Sequence, residues 1–134
     1  MTIVLFACVQ NAGRSQMAAA FFNQLADPGK ARALSGGTAP ARAVHPEVIE
    51  AMREAGVDLS RSIPHSLDDA ITQKPGFLIT MGCGEACPVV PGAVTMDWPV
   101  ADPKGKSLDQ VRTIRDGIRA RVLALLREHD WLGA

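Results

Sequence analysis

The chain has 134 residues, 47% of them apolar and 21% charged, with 14 basic residues balanced by 14 acidic ones. This length supports one domain, residues 1–134, with a buried core. The balanced charge excludes a broadly basic polyanion binder, so any anion site must be local.

Ile3 to Ala7 is a continuous, partly β-branched apolar run, as expected for a strand buried on both faces of a parallel sheet. It is too short to span a bilayer. With no basic start and no cleavage site it does not read as a signal peptide, which points to a cytoplasmic protein. From Ser15 to Leu25 the apolar residues Met17, Phe21 and Leu25 recur at helical spacing, and "DPGK" stops the helix. "ARALSGG" (31–37) reads as a second strand. His45 to Ala55 reads as a helix, with Pro46 in its first turn, an apolar stripe of Val48, Met52 and Ala55, and Gly56 as its stop. "GFLIT" (76–80) and "AVTM" (93–96) are the third and fourth strands. Ser107 caps a last helix whose stripe runs Leu108, Val111, Ile114, Ile118, Val122 and Leu125.

Strands alternating with helices predict an α/β fold, a doubly wound four-stranded parallel sheet with helices on both faces. Ligands of such sheets bind at the carboxyl ends of the strands. Cys8, Ser35, Cys83 and Asp102 fall at or after those four ends.

The segment "CVQNAGRS" (8–15) joins the first strand to the first helix. A tight loop there can turn backbone N–H groups inward as a nest for an oxyanion, and the helix start adds free N–H groups and a positive dipole end. Arg14 offers a planar fork for two oxygens of a tetrahedral anion. Gly13 and Ala12 leave room for the backbone to approach, and Asn11 tolerates the left-handed conformation. The same field favours negative charge on Cys8, and hence a nucleophilic thiolate. A C-x5-R spacing by itself also fits a buried cysteine beside a surface arginine. The G-x-x-x-x-G-K-[ST] nucleotide loop is absent.

"CVQNAGRSQMA" resembles the C-x5-R-S loop of the low-molecular-weight tyrosine phosphatase fold, in the N-x-x-R-S-Q-M-A form of its thiol-coupled arsenate reductases. The resemblance extends to "SGGT" (35–38), the thiol segment 83–87 and "DP" (102–103). It implies Cys8 as nucleophile, Arg14 as oxyanion clamp, Ser15 as hydrogen-bond partner of the thiolate and Asn11 as brace. It also implies an anion cradle of Val9, Gln10, Asn11, Ala12, Gly13, Arg14 and Ser15, which phosphate or sulfate could occupy in place of arsenate.

Asp102 on its own reads as a turn residue. The resemblance makes it the acid that protonates the departing oxygen, with Pro103 holding it extended over the pocket. Asp97 reads as solvent-facing or as a turn cap.

Three cysteines in a reducing compartment argue against a structural disulfide framework. In "CGEAC", Cys83 and Cys87 share one face if the segment is helical, with a Cα separation near the upper end of the disulfide range. Gly82 and Gly84 would let it deform. They also read as buried thiols or half a metal site, but no second C-x-x-C or histidine pair completes a zinc set. The resemblance implies a relay: Cys8 attacks arsenate, Cys83 releases arsenite by forming a Cys8–Cys83 disulfide, and Cys87 moves it to Cys83–Cys87 for thioredoxin or a similar protein reductant.

A phosphatase is the runner-up. Against it, the chain has no tyrosine after its Asp-Pro, and Gly13 stands where phosphatases usually carry a second cysteine. A mycothiol- or glutaredoxin-coupled reductase and a thiol-based sensor are further alternatives. The C-x3-C pair is more closely spaced than in the best-known thioredoxin-coupled members. Ala19 replaces the acidic residue through which some members bind potassium. No cofactor, metal, nucleic acid or membrane partner is expected, and the protein reads as a monomer. His45, His65 and His129 read as caps or surface residues. The basic residues between Lys104 and Glu128 read as a solvated face, Trp98 as a residue near the pocket rim, and Trp131 as packing the C-terminus.

Overall fold

In a computed structural model, describing residues 1–134 with the Glu85 side chain excepted, the uncharged segment TIVLFAC forms the strand β1, Thr2–Cys8. The other strands are β2 (Ala31–Gly37), β3 (Phe77–Thr80) and β4 (Val94–Asp97). All pair in parallel, in the order β2-β1-β3-β4. The helices are α1 (Arg14–Leu25), α2 (Pro46–Glu54), α3 (Leu67–Ile71) and α4 (Leu108–Glu128). The expected strands and helices are all present, the second strand with its expected bounds and the others shifted by at most one residue where both ends were given.

Burial on both sides of β1 explains its unbroken apolar run. Val4 and Phe6 face a large core with Met17, Phe21, Phe22, Met52 and Ile118, while Leu5 and Ala7 face a smaller one with Leu67, Leu78, Cys83 and Val90. The first face is covered by α1, α2 and α4. The second carries only the short α3 and the crossover from β3 to β4. That crossover would carry Cys83 and Cys87 on one face if it were helical. It holds one 3-10 turn, Gly84–Ala86, and bends through glycines of positive φ at 82, 84 and 92. An α-helical hydrogen-bond ladder cannot run through two such residues in three.

The sequence reading missed α3, because five residues are too few for a periodic signal. Its local cue is Ser66, whose hydroxyl accepts from the Asp68 N–H, followed by Asp68 and Asp69 at the positive helix end. The cap foreseen at Ser107 is a full capping box with Gln110. Trp98, expected near the pocket rim, packs in the core against Phe6 at a ring separation of 5.5 Å. Trp131 packs against Phe77 and His129, as expected of a residue that secures the C-terminus.

The basic face of α4 is only partly solvated. Arg112 grips both oxygens of Glu54 at 2.8 and 2.7 Å, and Arg115 reaches the same carboxylate at 3.2 Å, joining α4 to α2. The two guanidiniums, Arg112 above all, lower the pKa of Glu54 to about 2. Among the described residues, no helix is long and apolar enough to cross a membrane.

Candidate active site

The loop after β1 owes its shape to where its carbonyls go. The oxygens of Cys8, Val9, Gln10 and Ala12 accept from the N–H groups of Thr38, Ala39, Ala41 and His45, at 2.8 to 3.2 Å. In a trans peptide the next N–H points opposite to the carbonyl. Committing these four carbonyls outward therefore turns the N–H groups of Val9, Gln10, Asn11 and Gly13 toward the inside of the loop. The helix α1 begins there on Gly13, with no side-chain cap and no acidic residue in its first turn, so its free N–H groups face the same space.

Asn11 has φ +50 and is fully buried. Its Oδ1 accepts from the His65 N–H at 2.8 Å and from Gln16 Nε2 at 3.1 Å. Its Nδ2 donates to Ser15 Oγ at 2.7 Å, and Ser15 Oγ lies 2.8 Å from Cys8 Sγ. Ser15 accepts from Asn11 and keeps its own proton, so it can donate to the sulfur once Cys8 is ionised. The chain Gln16–Asn11–Ser15–Cys8 is thus directed to stabilise a thiolate. The Cys8 side chain is 3% exposed at the cavity floor.

Arg14 Nη1 donates to the Val100 carbonyl at 3.1 Å, and Nη2 lies 3.7 Å from Asp102 Oδ2. The other Asp102 oxygen accepts from the Lys104 N–H at 3.0 Å. Pro103 is buried, and its ring sits so close to Gly13 that a Cβ there would meet Pro103 Cγ at 2.7 Å. A cysteine at position 13 would collide with the Asp-Pro segment.

These groups enclose a cavity of about 390 Å³ lined by the loop residues Cys8, Val9, Gln10, Ala12, Gly13 and Arg14 together with His45, Gly82, Asp102 and Lys104. Asn11 and Ser15 stand behind it as braces. The site unites a thiol, an arginine fork, inward N–H groups and a carboxyl, which together suit attack on a tetrahedral oxyanion followed by protonation of a leaving oxygen.

Cys83 and Cys87 form a disulfide with Cα atoms 5.3 Å apart, across a short turn in which Gly84 has positive φ and Cys87 is already extended. Cys83 belongs to the smaller core, on the opposite face of the sheet from Cys8. Ser35 does not join the cradle. It pairs with Phe6, two residues short of the end of β2, and lines a separate cavity of about 580 Å³ with Gln16, Ala19 and His65. Among the described residues, no group of three or more metal-ligating side chains occurs.

Four residues take places at the site that nothing in the sequence assigns to them. His45 precedes α2, offers it no side-chain cap, and lines the cavity instead. Lys104 lines its mouth. Gln16 is buried against the brace. Gly82 has φ +97, and a Cβ there would lie 2.2 Å from Arg14 Nη1, so the arginine occupies the space a side chain would need. The glycine itself was the available signal, but its φ and its contact with position 14 are invisible in one dimension. Asp97, expected to face solvent, is exposed, yet its carboxylate accepts from Thr80 Oγ1 at 2.7 Å.

Residues 3–130 match the family of low molecular weight phosphotyrosine protein phosphatases. A Halobacterium salinarum relative is 40% identical over 129 residues, covering 93% of this chain and 91% of its own length. A Synechocystis relative named glutaredoxin arsenate reductase is 35% identical, covering 94% of this chain and 97% of its own. Among solved structures, a thioredoxin-dependent arsenate reductase of Corynebacterium glutamicum superposes with TM-score 0.80 at 36% identity, over 96% of this chain; this chain spans only 61% of that longer one. An arsenate reductase in an oxidised state superposes with TM-score 0.85 at 32% identity, over 96% of this chain and 98% of its own, against 0.79 for one in a reduced state.

Proposed function

The chain belongs to the low molecular weight phosphotyrosine protein phosphatase family, and we propose that within it this protein is an arsenate reductase whose electrons pass through its own three cysteines. One observation carries the choice of reductase over phosphatase. Hydrolysis of a phosphoryl-cysteine needs one thiol, whereas the chain that holds Cys8 in an oxyanion loop also closes Cys83 and Cys87 into a disulfide.

In the proposed reaction arsenate sits in the loop, its oxygens held by the inward N–H groups and by Arg14. The Cys8 thiolate attacks arsenic, and Asp102 supplies the proton with which one oxygen leaves as water. A Cys83 thiolate then attacks Cys8 Sγ. The sulfur–arsenic bond breaks with its electron pair passing to arsenic, which departs as arsenite, and a Cys8–Cys83 disulfide remains. Cys87 attacks Cys83 and frees Cys8 as a thiolate.

The Cys83–Cys87 disulfide is the end point of this relay, in keeping with the closer match to an oxidised arsenate reductase. Since Cys83 packs on the other face of the sheet, the segment 82–87 has to swing for the second step, and its two positive-φ glycines suit that movement. A thioredoxin-type protein completes the cycle. The protein acts as a single cytoplasmic domain, a monomer that binds no nucleic acid or cofactor. Phosphate competes for the loop because its shape is nearly that of arsenate.

The test is Cys87→Ser supplied with thioredoxin, thioredoxin reductase and NADPH. It should release about one arsenite per enzyme and then stop, whereas the unaltered protein turns over. Sustained turnover of the variant would remove Cys87 from the relay. Arsenate-dependent NADPH oxidation with glutathione and glutaredoxin, but none with thioredoxin, would replace the reductant.

A further inference from the structure

Each turnover of the proposed reaction leaves the Cys83–Cys87 disulfide to be reduced from outside. An external thiolate must approach one sulfur along the line of the S–S bond. Cys83 is 6% exposed, packed with Leu5, Leu67, Leu78 and Val90, while Cys87 is half-buried. Attack therefore falls on Cys87, and a protein that delivers it lays its surface over the residues that follow.

Those residues have an unusual character. Val89, two positions on, is 87% exposed, more than any other large apolar side chain among the described residues. Pro91 and Gly92 are exposed and Pro88 is half-buried. From Ala86 to Met96 the chain carries no charge, and Glu85 is the only charged residue between Lys74 and Asp97. A shallow groove of about 170 Å³ opens beside the segment, between Ala86 and Pro88 on one wall and Thr38, Ser66, Leu67 and the acidic Asp68 on the other. Single exposed apolar residues are ordinary. This one stands next to the disulfide that a partner has to reach.

We propose that Ala86–Gly92, anchored by Val89, is the docking surface for a thioredoxin-fold reductant whose active-site thiol sits in an apolar rim. The inference rests on the reductase reading above. Glutathione, an anionic tripeptide thiol, needs a cation to hold its carboxylates, and the run offers none. In the docked complex the partner's thiolate attacks Cys87 Sγ, the Cys83–Cys87 bond breaks, and Cys83 leaves as a thiolate. The partner's second thiol then attacks its own sulfur in the mixed disulfide and frees Cys87. Two electrons and two protons pass from the partner dithiol to this protein.

The experiment measures reduction of the oxidised protein at limiting thioredoxin, with dithiothreitol as a small dithiol that needs no docking surface. Val89→Asp and Val89→Ser should lower kcat/KM for thioredoxin about 10-fold, and Val89→Leu should restore it. Reduction by dithiothreitol, and arsenite release in a single turnover by the pre-reduced protein, should stay within twofold for all three variants. Equal thioredoxin rates for Val89→Asp and the unaltered protein would overturn the docking surface alone. An unaltered protein that dithiothreitol reduces but thioredoxin does not would overturn the choice of reductant, and the proposed partner with it. A parallel loss of both rates would mean that Val89 supports the disulfide segment itself, and would likewise overturn the proposal.

Discussion

Replacing Gly82 by alanine tests the anion clamp without touching a reacting group. The added methyl would lie 2.2 Å from Arg14 Nη1 and 2.9 Å from Cζ, well inside contact distance. Those atoms end a flexible side chain, so the chain relieves the clash by moving the guanidinium rather than the backbone. The folding cost is then mainly that of a non-glycine residue at φ +97, about 1–3 kcal/mol. Activity suffers separately. A displaced Arg14 that loses one of its two hydrogen bonds to the oxyanion forfeits about 1.5–3 kcal/mol, roughly 10- to 150-fold in kcat/KM.

The assay is single-turnover arsenite release by pre-reduced protein, run beside hydrolysis of an aryl phosphate, which reports on the loop without the distal thiols. Gly84→Ala is the control. Position 84 also has positive φ, at +55, but nothing lies within 4 Å of an added Cβ. The expectation is that Gly82→Ala depresses both activities together while Gly84→Ala spares the aryl phosphate reaction. If Gly82→Ala folds and keeps both activities within twofold, Arg14 does not act from the position described here, and the clamp is wrongly assigned.

Two more expectations follow from the brace and from the α2–α4 junction. Ser15→Ala removes the hydroxyl hydrogen-bonded to Cys8 Sγ and leaves Asn11 Nδ2 without its acceptor. It should lower kcat/KM roughly 10- to 150-fold at neutral pH, from the loss of a hydrogen bond to a charged group worth about 1.5–3 kcal/mol; an unchanged rate of thiol alkylation would remove Ser15 from that role. Glu54→Gln tests the junction with Arg112 and Arg115. Because Arg112 and Arg115 lower the folded-state pKa of Glu54 from its ordinary 4.5 to about 2, its stabilisation is complete above pH 4.5 and disappears as the pH falls toward 2. Denaturant midpoints of the two proteins should therefore differ at pH 6 and converge at low pH. A difference independent of pH would mean that packing, not charge, joins the helices.

The signals that survive in one dimension are local ones. The buried strand announces itself by an apolar run with no polar break, α4 by an apolar stripe behind Ser107, and the oxyanion loop by Asn11, Gly13, Arg14 and Ser15 following a strand that ends on Cys8. Each depends on residues within a few positions of one another, where backbone preference and side-chain spacing act directly. The short α3 lacked enough turns to show a period. The four-residue spacing of Cys83 and Cys87 would also suit a helix, but the glycines around it adopt positive φ, which the sequence alone does not show.

Sequence alone therefore determined the α/β alternation and the residues of the loop after the first strand, and its resemblance to known thiol-coupled enzymes singled out the pair Cys83 and Cys87. Tertiary structure decided what those residues meet. Only folding could place Gly82 beneath Arg14, Pro103 against Gly13 and His65's amide on Asn11, because each contact joins segments separated by tens of residues. It also placed Cys83 on the far side of the sheet from Cys8. Adjacent residues of a strand face opposite ways, so which core a residue enters depends on pairing register as well as on its own identity.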